Sequence, residues 1–115
     1  MTKPNAAYQI KANPPHYGNI LELVYHMNKF DKIYVVIYDK PTLLSSEQVA
    51  EMLRAVLNRI DKDKFVIIVS DVDFAHMNEL PEVLIENKVT HIITASDEVY
   101  ANLTSKGLHI LHPKQ

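Results

Sequence analysis

Ile33-Tyr34-Val35-Val36-Ile37, a helical stretch from Ser45 to Ile60, then Phe65-Val66-Ile67-Ile68-Val69: this run of residues decides the fold. The two apolar runs are continuous rather than alternating, the pattern of strands covered on both faces, as in a parallel sheet. Between them, Val49, Met52, Leu53, Val56, Leu57 and Ile60 recur at the spacing of one helix face, and the whole stripe is expected to be core. Ser45 with Gln48 three residues on is a capping-box start. Strand, helix and strand in this order make a βαβ unit.

The same alternation extends outward to both ends. Further strands are expected at Tyr8 to Ala12, Lys32 to Tyr38 (enclosing the first run), His91 to Thr94 and Leu108 to Leu111. Gly18 opens a first helix, and Asn78 with Pro81 starts another that runs to about Asn87. Ser96 and Asp97 cap a short fourth helix containing Val99, Tyr100 and Leu103, and Gly107 marks its stop. The order is βαβαβαβαβ. Right-handed crossovers turn it into a Rossmann-like α/β domain, an open, doubly wound parallel sheet of five strands with helices on both faces. No linker or repeat interrupts it, so residues 1–115 are expected to form one domain. Ligands of such sheets sit at the carboxyl ends of the strands, where the strand order reverses.

Composition narrows the function classes. Cysteine is absent, which removes disulfides and thiolate metal sites and permits a cytoplasmic setting, the one expected here. The first residues, Met1-Thr2-Lys3-Pro4-Asn5, are not expected to be a signal peptide, and no apolar run is long enough to span a membrane. A net charge of -2 gives no basic footprint for nucleic acid, so any polyanion must be small and gripped locally.

The stretch leaving the first strand is Asn13-Pro14-Pro15-His16-Tyr17-Gly18-Asn19. Two prolines stiffen the exit and remove two backbone donors. Gly18 lets a bulky anion approach the first helical turn, and His16 and Asn19, three apart, project from one helix face. Unpaired N–H groups and the positive end of the helix dipole add an anion-binding field. A plain strand-to-helix loop with a capping histidine fits the same residues, because short motifs carry a large false-positive risk.

Ile10-Lys11-Ala12-Asn13-Pro14-Pro15-His16-Tyr17-Gly18-Asn19 resembles the Gly-x-Phe-x-Pro-x-His-x-Gly-His motif of the nucleotidyltransferase superfamily. Lys40-Pro41-Thr42-Leu43-Leu44-Ser45-Ser46-Glu47 through Arg54 is similar to the family's stretch after the second strand. His91 to Asp97, through Lys106-Gly107-Leu108, is similar to the fourth strand, turn and short helix of archaeal-type nicotinamide mononucleotide adenylyltransferases. The departures are Ile10 for the motif's first glycine, Asn19 for its second histidine, Val49 for the helix arginine and Ala95-Ser96 for a Gly-Asn turn. The family's C-terminal Ile-Ser-x-Thr-x-x-Arg motif is absent.

The resemblance implies in-line attack by an acceptor's phosphate on the α-phosphorus of a nucleoside triphosphate, with pyrophosphate leaving. It implies His16, Asn19 and Lys40 as catalytic residues. Nucleotide contacts would come from Lys11, Ala12, Asn13, Pro14, His16, Gly18, Asn19, Thr94 and Ser96. Magnesium would bridge the phosphates, and the partners would be a nucleoside triphosphate and a small phosphorylated acceptor. A partner subunit could supply the missing cation, which would make the protein a homo-oligomer. The alternative is a relative that binds a nucleotide, or only a protein partner, without turnover.

Other residues read as structural. Lys40 beside Pro41 also fits a solvated loop lysine, and Asp71 and Asp73 fit turn and capping roles better than a metal site. His109 and His112 fall on opposite faces, which disfavours a metal pair. His26 is expected along the first helix and His76 in a loop, neither with an obvious partner, while Tyr34 and Tyr38 pack beside the sheet.

Overall fold

The computed structural model describes residues 3–11, 17–38 and 45–113. The elements run β1 (Asn5–Ile10), α1 (Tyr17–His26), β2 (Ile33–Tyr38), α2 (Ser46–Ile60), β3 (Phe65–Ser70), α3 (Glu82–Glu86), β4 (Val89–Ile93), α4 (Asp97–Thr104) and β5 (His109–Leu111), with a short 3-10 turn at Met27–Lys29. All neighbouring strands pair in parallel, in the order β3-β2-β1-β4-β5. The chain winds one way from β1 to β3, then crosses the sheet and winds the other way from β4 to β5. That reversal puts the switch of strand order between β1 and β4.

Side-chain alternation along the strands sorts the core into two layers. Ala6, Tyr8 and Ile10 of β1, with Ile33, Val35 and Ile37 of β2, face Leu23 of α1 and Val49, Leu53 and Leu57 of α2. Ala7 and Val36 point the other way, to Leu84 of α3 and Val99 and Leu103 of α4. Helices therefore cover both faces, which makes the sheet doubly wound and Rossmann-like.

Local chemistry fixes the element ends. The Ser45 hydroxyl accepts from Gln48 N–H at 3.1 Å while the Gln48 side chain accepts from Ser45 N–H at 2.9 Å, a complete capping box. The Ser96 hydroxyl caps α4 by accepting from Val99 N–H at 3.3 Å. Gly107 takes φ 86°, a left-handed conformation that costs glycine little and ends the α4 region before β5.

Three expectations shift. β1 begins at Asn5 rather than Tyr8, although Asn5-Ala6-Ala7 has no β-branched residue. Its two alanines are fully buried, and Asn5 bonds its neighbours on both sides, donating to Asn87 O at 2.9 Å and accepting from Lys32 N–H at 3.2 Å. Tertiary packing therefore extends a strand that intrinsic propensity does not mark. The α2 stripe splits: Val49, Leu53 and Leu57 are buried, whereas Met52, Val56 and Ile60 are exposed. Ala50 turns inward beside the buried trio, so the buried face is rotated away from them. β3 is an edge strand, and past Phe65 its apolar run is only half-buried.

His26 does lie on α1, as expected, yet it is fully buried and has partners. Its Nε2 lies 3.1 Å from His112 O and 2.9 Å from Pro113 O, and Lys29 Nζ lies 3.2 Å from its Nδ1. The arrangement is that of a neutral ring donating from Nε2, which ties the segment after β5 to the end of α1. Burial lowers its pKa; the Lys29 ammonium adds to this, and the two carbonyls and Glu22 oppose it only in part. Burial, and then the charge of His109, lower His91 likewise; the two rings are cross-strand neighbours with centroids 4.9 Å apart.

The sign of the linkage follows. The unfolded chain binds protons at these histidines more readily than the folded one, so stability is full above the ordinary imidazole value of 6.5 and falls as pH drops below it towards the lowered folded values. Urea midpoints measured from pH 7.5 down to about 5 should therefore decline, and His91→Gln should flatten part of that decline. A midpoint that stays level or rises over that window would contradict this assignment.

Candidate functional site

The carboxyl ends of β1 and β4 flank a cleft of about 240 Å³ lined by Gln9, Lys11, Phe74, Ile92, Ile93, Thr94, Ser96 and Val99. This is the switch point of the sheet, where a doubly wound fold leaves a crevice between helices on opposite faces. A second hollow of about 280 Å³ lies on the other side of the 94–96 turn, between Tyr100 of α4 and Ile110 and His112 at β5. Thr94 and Ser96 border both.

The wall supplied by residues 72–77 is held by side chains from elsewhere. Gln9 uses both ends of its amide: Nε2 donates to Val72 O at 2.6 Å, and Oε1 accepts from Phe74 N–H at 3.0 Å. Asn102 of α4 donates to Phe74 O at 3.0 Å and Met77 O at 2.9 Å, while its own Oδ1 accepts from Lys106 at 2.9 Å. Phe74 itself is buried in the second core layer. Segment 72–77 is irregular, and such backbone needs side-chain partners for its polar groups when it packs against a core.

Asp73 reaches the cleft through Lys11, which lines it. Its Oδ1 accepts from Ala75 N–H at 3.0 Å, the turn role expected of it, and also meets Lys11 Nζ at 2.6 Å. Burial by itself would raise the carboxyl's pKa; the Lys11 hydrogen bond, the Ala75 N–H and the charges of Lys11 and His76 outweigh it and hold the group below its usual value. His76, expected to lack a partner, pairs with Glu98 at 3.5 Å on the exposed surface.

Of the residues expected to hold a nucleotide, Lys11, Thr94 and Ser96 share this cleft. Gly18 and Asn19 lie in the first turn of α1. Asn19 Nδ2 donates at 3.1 Å to the buried hydroxyl of Tyr8, which in turn donates to the Glu22 carboxylate. Burial pushes the Tyr8 hydroxyl well above the usual phenol value, the Asn19 N–H pulls it down in part, and Glu22 adds to the rise, so this hydroxyl stays protonated. Ala12, Asn13, Pro14, His16 and Lys40 lie outside the described residues.

The sequence reading overlooked Gln9, Phe74 and Asn102, and it gave Asp73 a turn without its lysine. One signal was available. Gln9 is a lone amide between Tyr8 and Ile10 in a strand that must be covered on both faces, and a buried amide requires partners. Among the described residues no group of three histidine or acidic side chains could hold a metal ion, and no helix is long and apolar enough to cross a membrane. His109 lies beside His91 across β4 and β5, with ring centroids 4.9 Å apart. Compared with models of known protein families and with curated proteins, the chain matches none.

Proposed function

We propose that this protein is nucleotidyltransferase-like, moving a nucleotidyl group, AMP from ATP in the first instance, onto a phosphate-bearing acceptor with release of pyrophosphate. The observation that supports this is the motif's position in the chain: it falls between the end of β1 and the first turn of α1, and β1 with β4 flanks the 240 Å³ cleft. In this reading the helix start at Gly18 receives phosphate oxygens at the positive end of the helix dipole, His16 donates to the triphosphate and Asn19 assists. Lys40 adds positive charge. The protein's part is to position the two phosphates in line and neutralise charge on the way to the transition state. Magnesium, carried on the nucleotide's own phosphates, would neutralise charge there. The reading makes the protein a cytoplasmic one acting on small phosphates.

A second reading, a nucleotide binder without turnover, has its own support. Lys11 is paired with Asp73, and Asn19 already serves Tyr8, so two groups expected on phosphate have partners within the protein. One experiment separates the two. ATP affinity is measured by titration calorimetry, and pyrophosphate release is then followed with magnesium and nicotinamide mononucleotide, pantetheine phosphate or glycerol phosphate as acceptor. Release with any of them supports transfer. Binding without release from every acceptor supports the second reading, and no binding removes both.

A further inference from the structure

We propose that Asp73 is the specificity-determining residue of the β1/β4 cleft: by occupying Lys11 it keeps phosphate out and reserves the cleft for an uncharged, partly apolar part of the ligand. The proposal rests on the reading of the β1 exit as the place where phosphate binds.

The geometry makes Asp73 the fixed partner and Lys11 the mobile one. The Asp73 side chain is 17% exposed, holds the Ala75 N–H, and sits in a segment clamped by Gln9 and Asn102. Lys11 is 46% exposed and has only one other polar or ring contact described, the Tyr38 ring at 5.7 Å. A phosphate reaching for Lys11 in this cleft would lie against the Asp73 carboxylate, and the two negative charges repel at short range. The carboxyl's lowered pKa keeps it ionised throughout the neutral range.

What the rest of the cleft offers points the same way. Lys11 and Asp73 sum to zero charge. Gln9 has both ends engaged. The Thr94 hydroxyl oxygen accepts from Ser96 N–H at 3.0 Å, and the Ser96 oxygen accepts from Val99 N–H, which leaves both hydroxyl protons to donate outward. Ile92, Ile93, Val99 and Phe74 make the remaining surface apolar. Two neutral donors over apolar walls match an uncharged group carrying hydrogen-bond acceptors. A polyphosphate is thereby directed away from the cleft, to the helix start at Gly18.

The test is the affinity for inorganic tripolyphosphate, by calorimetry, of the wild type, Asp73→Asn, Lys11→Met and the double variant. Asparagine keeps an oxygen for the Ala75 N–H, so the turn is retained. Asp73→Asn should bind tripolyphosphate about fivefold more tightly than the wild type, the scale of one partly screened ion pair, with the gain shrinking as salt rises. The gain should vanish in the double variant, and Lys11→Met alone should bind no more tightly than the wild type. Unchanged or weaker binding by Asp73→Asn overturns the proposal. So does a gain that survives loss of Lys11, or tighter binding by Lys11→Met. Failure of the transfer reading is read separately, as wild-type protein that releases no pyrophosphate from ATP.

Discussion

If the protein catalyses the proposed transfer, replacing His16 with alanine should lower turnover on the order of a hundred- to a thousand-fold while changing ATP affinity far less. The asymmetry follows from when the interaction is strongest. A donor aimed at oxygens that gain charge in the transition state stabilises that state more than the bound substrate, so its loss is felt in kcat. Asn19 cannot compensate fully, because one of its amide protons is held by Tyr8. Lys11 cannot either while Asp73 holds it at 2.6 Å. The check is pyrophosphate release under saturating ATP and magnesium, with ATP affinity measured in parallel. Release unaffected by His16→Ala would move the chemistry away from this turn. A large loss of ATP affinity with turnover at saturating ATP unchanged would make His16 a binding group only.

The second large effect concerns stability. Phe74→Ala should destabilise the fold by about 3–5 kcal/mol, as expected for truncating a buried phenylalanine. Phe74 lies in the connection after β3, yet it is 1% exposed and packs in the layer with Leu84, Val99 and Leu103. Its backbone N–H and C=O are bonded to Gln9 and Asn102, so the segment is held on both sides and is poorly placed to collapse into the space the ring leaves. A loss of this size is a substantial fraction of a small domain's total stability of about 5–15 kcal/mol. Urea denaturation measures it directly. A loss below about 1 kcal/mol would mean that the segment relaxes into the cavity despite its clamps.

How much of this was legible in the sequence depends on the range of the interactions involved. The capping box at Ser45, the Ser96 cap and the Gly107 stop are written within four residues of where they act, and each is found where the sequence puts it. The continuous run at Ile33–Ile37 marked a central strand correctly, because burial on both faces removes alternation. The equivalent run at Phe65–Val69 looked the same, yet it forms an edge strand; nothing local distinguishes an edge from a centre. The first three residues of β1 were unreadable for a related reason: two alanines become strand only when helices and neighbouring strands close around them. On α2 the periodicity named Val49, Leu53 and Leu57 correctly but missed that the buried face turns towards Ala50, so Met52, Val56 and Ile60 were counted as core.

The candidate site divides similarly. Residues 13–19 could be read as a motif because their chemistry is contiguous in the sequence, and the strand order reverses beside β1, between it and β4. Thr94 and Ser96 join Lys11 in one cleft, three residues that the sequence grouped only through the family resemblance. The partners that decide the charge of that cleft were hidden. Lys11 and Asp73 are far apart in the chain and meet only because β1 and the segment after β3 converge on one edge of the sheet. Gln9 with Val72 and Asn102 with Phe74 are equally long-range. Aspartate after a strand gives the same local signal whether it caps a turn alone or also holds a lysine.

Crystals grown with ATP and magnesium test the central claim most directly. The account predicts density for the phosphates over Gly18, within hydrogen-bonding reach of His16 and Asn19, with an uncharged part of the ligand in the β1/β4 cleft beside Thr94 and Ser96. Phosphate density lying elsewhere, with the turn at Gly18 empty, would contradict it.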